Sequence, residues 1–75
     1  MSTQIPINRI GIIETGIHKG WQVKVELQSS DSEECLILIS TNFDDPQSEG
    51  YDDWVENFDS LEQYFRESKW LVTWF

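Results

Sequence analysis

The chain has 75 residues, which makes one domain, and a domain of this size buries only about 60 % of the surface its unfolded form exposes. Its one cysteine, Cys35, excludes an intramolecular disulfide, so stability must come from packing, and ten aromatics, four of them Trp, suit that need. The net charge of −9 gives phosphate binding the wrong electrostatic sign, which excludes nucleic acid and anionic membranes as natural partners.

The first strand is expected over residues 5–14. Pro6 cannot donate to a ladder and places it at a strand start or an edge. Asn8 and Arg9 interrupt the apolar run before a signal-peptide core forms, and no window approaches the roughly 20 apolar residues of a membrane span. A soluble, cytoplasmic protein is the expectation. Residues 16–20 form a turn with glycines free to take positive φ at both ends.

Residues 21–28 are the clearest strand. Trp21, Val23, Val25 and Leu27 make one row, and Gln22, Lys24, Glu26 and Gln28 a wet one. After a polar loop, residues 35–41 are apolar on both rows, which suits a central strand covered on both sides. Residues 42–53 read as an acidic loop punctuated by Pro46 and Gly50. Trp54, Val55 and Glu56 make a short fourth strand returning along the third.

Residues 59–75 read as a capped helix followed by an aromatic strand. Ser60 is placed to cap the first turn, with Gln63 closing a capping box. Leu61, Tyr64 and Phe65 share one helical face. Lys69 suits the negative end of the helix dipole. Trp70, Val72 and Trp74 then alternate with Leu71, Thr73 and Phe75, with both rows largely apolar. The expected fold class is α+β: a small antiparallel β-meander of three to four strands, one C-terminal helix packed on it and a final aromatic strand, in a single domain over residues 1–75. One narrow helical face cannot cover the whole sheet, so some of the four Trp stay partly exposed.

The charge is unevenly placed. Residues 25–65 hold twelve acids and no Lys or Arg, while the rest of the chain carries +3. Such a segment steers a basic protein. The expected partner-binding residues are Asp44, Asp45, Glu49, Asp52, Asp53 and Glu56 for charge, with Tyr51 and Trp54 as apolar anchors.

Signals for catalysis are poor. His18 is the only histidine, in a turn, with no carboxylate at a pairing spacing. Cys35 opens an apolar strand behind Glu33 and Glu34, a setting that suits a buried hydrophobe better than a reactive thiol. There is no nucleophile elbow, phosphate loop or zinc spacing. Residues 45–56 align loosely with a twelve-residue calcium loop, Gly50 and Glu56 falling at the sixth and twelfth places. Gln47 stands where an acid is usual, and Asp52 where an aliphatic anchor is usual. No enzyme activity, no cofactor and no metal are expected.

The run Gly11-Ile12-Ile13-Glu14-Thr15, followed by Gly20-Trp21 and the alternating Val23, Val25 and Leu27, resembles the opening of the immunity protein 53 family of bacterial polymorphic-toxin systems. Asp53-Trp54-Val55, the helix start Ser60-Leu61-Glu62 and the aromatic end are similar in order. The family's aromatic, Cys-containing segment ahead of the first strand has no counterpart here, and the second half is compressed. The resemblance implies a cytoplasmic protein that neutralises a cognate toxin by binding it, and it transfers no catalytic residue. The alternative from another class is a small regulatory or assembly subunit, forming homo- or hetero-oligomers through the edge of the C-terminal strand.

Overall fold

The computed structural model describes residues 5–29 and 31–75. Five strands and one helix form among them: β1 Ile10–Ile13, β2 Gln22–Leu27, β3 Cys35–Ser40, β4 Gly50–Val55, α1 Phe58–Ser68 and β5 Val72–Trp74. The expected α+β class holds. The strands make one antiparallel sheet in the order β4-β3-β2-β1-β5. The first four are a meander, and α1 then carries the chain across the sheet, from one edge strand to the other. No described helix is long and apolar enough to cross a membrane.

Register and the period of two decide what is buried. Val23 pairs with Ile39, Val25 with Ile37 and Leu27 with Cys35, so these residues share the face that α1 covers. Val23, Val25, Cys35, Ile37 and Ile39 are buried there, together with Ile13 from β1 and Val55 from β4. Leu61 and Phe65 press down from the helix, with Tyr64 half-buried beside them, as the i, i+3, i+4 spacing requires. Trp70 is buried, and Trp74 packs half-buried against the same cluster. Both therefore finish the core. Trp21 is half-buried and Trp54 is 51 % exposed.

Four expectations need correction. The first strand starts at Ile10, because Asn8 sits in the left-handed region at φ 63° and breaks the extended run before it. β3 is covered on one side only: Leu36 and Leu38 point to the opposite face, on which no described helix or strand packs. Its second apolar row is an open surface, not a second core. β4 spans Gly50–Val55, so the acidic loop ends at residue 49. Asp52 and Asp53 are poor strand formers, but pairing along all of β3 overrides that preference. The helix cap is Asn57, three residues earlier than expected: its side chain accepts from the Ser60 backbone N–H at 2.8 Å, and the helix starts at Phe58.

The expected turn at residues 16–20 is present, with Gly16 at φ 88° and Gly20 at φ 90°. The helix ends at Lys69 in the left-handed conformation (φ 58°), whose N–H donates to the Arg66 and Phe65 carbonyls. The chain is thereby turned into β5. There the Thr15 hydroxyl donates to the Lys69 carbonyl at 2.8 Å and accepts from the Leu71 N–H at 3.0 Å. One side chain thus fixes the helix-to-strand corner against the end of β1.

Candidate functional site

The acidic residues line the β4 edge and the turn before it. That turn, residues 41–49, is ordered by its own polar groups. The Asn42 side chain accepts from the Asp44 N–H at 3.0 Å and Asp45 Oδ1 from the Gln47 N–H at 2.9 Å, both Asx turns. Ser40 and Ser48 share a hydrogen bond of 2.8 Å, and Ser48 Oγ donates to the Asn42 carbonyl at 2.7 Å. Asp44, Asp45 and Glu49 are held exposed on this frame.

Strand alternation divides the remaining expected site residues. Asp52 and Trp54 lie on the open face of the sheet, in the rows of Leu38 and Leu36. Tyr51 and Asp53 lie in the rows of Ile39 and Ile37, on the side of the helix. Glu56 is exposed just beyond the strand. The eight residues therefore occupy one edge but look in two directions, and the two aromatic anchors, Tyr51 and Trp54, are on opposite faces. The same strand separates the positions aligned with a calcium loop. Gly50 to Val55 is extended, and Asp52 and Asp53 diverge rather than converge on one centre.

The edge carries little internal neutralisation. The one ion pair among the described residues is Lys24–Glu26, 3.3 Å long, on the open face. The Asp53 carboxylate is used locally, since Oδ1 accepts the Trp54 N–H at 2.9 Å. Glu33 Oε1 accepts from the Phe58 N–H at 3.1 Å at the start of the helix, where a negative charge is favoured. Asp44, Glu49, Asp52 and Glu56 stand exposed on the same edge. The field they produce is that of an uncompensated acidic strip.

On the helix side of the edge the structure brings together a cluster that local sequence patterns do not reveal. The His18 ring makes an edge contact with Trp21 at 4.9 Å and lies 5.4 Å from Tyr51 and 6.1 Å from Trp70, measured between centroids. His18 Nε2 and the Tyr51 hydroxyl share a hydrogen bond of 3.2 Å, its direction set by the imidazole tautomer. Tyr64 joins from the helix, 5.7 Å from Trp70. Burial, and then the negative charge of Asp53, push the Tyr64 phenol up to about 12, and the same two causes raise Tyr51. Both phenols are thus held further from the tyrosinate form than an exposed tyrosine. His18 and Tyr51 are 33 residues apart, so no spacing in the sequence pairs them.

Cys35 is fully buried, its Sγ donating to the Glu33 carbonyl at 3.3 Å. Burial and then the charge of Glu33 push its thiol up, away from the thiolate that a nucleophile needs. Comparison with protein-family models, curated proteins and solved structures finds no match to this chain.

Proposed function

We propose that this protein is a non-enzymatic acidic binding module that captures and neutralises a basic protein partner through its β4 edge. The observation that carries the reading is the uncompensated strip: twelve acids and no base over residues 25–65, with Asp44, Asp45, Glu49, Asp52, Asp53 and Glu56 gathered on one sheet edge. Tyr51 and Trp54, 41 % and 51 % exposed, offer apolar anchor area inside that strip. A toxin is the favoured partner, on the resemblance to the immunity protein 53 family, and that resemblance rests on the residues quoted for it. An immunity protein of this kind acts in the cytoplasm, by occupying the basic surface through which its toxin works.

The charge sets the mechanism. Opposed potentials raise the encounter rate by orders of magnitude over a neutral pair, and the gain falls steeply as salt screens it. Side chains on both faces of β4 would then seat the partner over the edge. The test is association kinetics with a basic protein recovered by this chain from its native host, or encoded beside it. The on-rate should fall steeply with ionic strength, and D52K/D53K should cut it further. An on-rate indifferent to salt and to the double reversal overturns the proposal.

A further inference from the structure

The two edges of the sheet are unlike. In an antiparallel ladder, alternate residues turn their backbone groups toward the neighbouring strand. Thr41 N–H donates to the Glu49 carbonyl at 2.9 Å, which sets the phase of β4, so Gly50, Asp52 and Trp54 turn their groups outward. That edge is guarded: Asp53 takes the Trp54 N–H, and two carboxylates repel an incoming strand. On the other side, Phe75 N–H donates to the Ile10 carbonyl at 3.0 Å and Glu14 N–H to the Leu71 carbonyl at 2.7 Å. Val72 and Trp74 therefore turn their N–H and C=O groups away from the sheet. None of the side chains of residues 70–75, Trp-Leu-Val-Thr-Trp-Phe, is charged. Leu71 and Phe75, flanking β5 on the open face, are each 66 % exposed.

We propose that β5 pairs antiparallel with β5 of a second copy of this chain, about a two-fold axis at Thr73, joining two five-stranded sheets into one. The sequence around Thr73 is self-complementary in this register. Val72 of each copy stands opposite Trp74 of the other, and each such pair exchanges both of its outward backbone bonds. Thr73 meets Thr73, a favourable cross-strand pair. Leu71 of each copy comes beside Phe75 of the other, so two of the most exposed apolar side chains cover one another.

Between two copies that each carry −9, this orientation keeps the acidic strips furthest apart. The −12 segment lies toward the β4 edge, and the residues around β5 belong to the part of the chain that carries +3. Joining the β5 edges puts the two acidic strips at opposite ends of the extended sheet, where repulsion between them is screened. The arrangement is closed and isologous, since the guarded β4 edges stop further addition. It leaves the strip free, so it stands or falls separately from the proposed capture of a basic partner.

The test is sedimentation across the micromolar range with the intact chain. The wild type should sediment as a dimer. Val72→Pro removes an outward N–H and keeps every bond to β1, a place where an edge strand tolerates proline. It should weaken the dimer about tenfold or more through the lost interchain bonds. Thr73→Lys and Thr73→Glu alter an exposed side chain on the axis. Each alone should weaken the dimer several-fold, and an equimolar mixture should restore it as opposite charges meet. The mixing result decides the matter even if the proline variant unfolds. A wild type that stays monomeric overturns the proposal, including the case in which β5 accepts another protein's strand. A dimer indifferent to both Thr73 charges overturns it too, and would place the contact on the open sheet face.

Discussion

Substituting Gly11 by Ala gives the sharpest test of how β5 is seated. Gly11 lies on β1 opposite Trp74. A Cβ there would stand 2.5 Å from Val72 Cγ1, 2.8 Å from Trp74 Cε3 and 3.1 Å from the Thr73 carbonyl oxygen. Carbon pairs settle at roughly 3.5–4.0 Å, so the neighbours must retreat by roughly 1 Å. Val72 is β-branched and stiff at χ1. Trp74 is backed by Phe65, their ring centroids 6.0 Å apart. Neither can yield without leaving its rotamer or moving the strand. Overpacking of this kind costs about 1–3 kcal/mol. Restricting the unfolded chain returns about 0.4–1 kcal/mol, since Gly11 is not at positive φ. The net expectation is a loss of about 1–2 kcal/mol, against a total of about 4–11 kcal/mol for a domain of this length. Urea denaturation at fixed protein concentration should show a lower midpoint with an unchanged slope. Amide exchange at Thr73, whose N–H points to β1, should accelerate more than at Val25. Unchanged or increased stability would refute the reasoning, because it would mean that β5 does not press on β1 as described.

Two further outcomes follow from other parts of the molecule. Asn57→Ala removes the side chain that holds the Ser60 N–H and should cost about 1 kcal/mol, with most of it recovered by Asn57→Asp; equal melting curves for all three proteins would return the cap to Ser60. Asp53→Asn should lower the Tyr64 phenol from about 12, though not to 10.0, because burial is the larger cause of its rise. A folded-state value above the unfolded one means that this phenol lends stability below about pH 10 and loses it as pH rises toward 12. Removing the Asp53 charge should narrow that window. Tyrosinate absorbance followed during alkaline titration reads the shift directly, and an unmoved midpoint would exclude Asp53 as a cause.

The architecture was readable because the strongest signals were periodic. The Val23, Val25 and Leu27 row and the Leu61, Tyr64, Phe65 spacing depend on local geometry alone, and burial followed both. What local reading missed was set by partners distant in sequence. Asp52 and Asp53 look like loop residues until β3 offers a full ladder to pair with. Leu36 and Leu38 look like core until it is seen that the fold supplies one helix and not two. Asn57 and Ser60 are both good caps, and the choice between them was made by where β4 ends. The expected binding residues were found on one edge, but a list along the sequence carries no information about faces, and alternation turned Tyr51 and Asp53 away from Asp52 and Trp54. His18 illustrates the opposite error. Its neighbours Trp21, Tyr51 and Trp70 come from three separate parts of the chain, so spacing alone could not pair it.

The Thr15 hydroxyl that fastens the Lys69 carbonyl and the Leu71 N–H also has a meaning in time. Its two bonds span 54 and 56 residues, and every β1–β5 contact spans a similar distance. Until residues 69–74 have been made, β1 has β2 on one side and an empty edge on the other, and Ile13 and Gly11 lack the Val72 and Trp74 that close over them. Closing so long a loop carries an entropic cost that short-range contacts do not. A nascent chain therefore keeps an unfinished sheet until residues 69–74 have emerged. The strand that then closes over β1 is the same short strand that afterwards forms the unguarded edge.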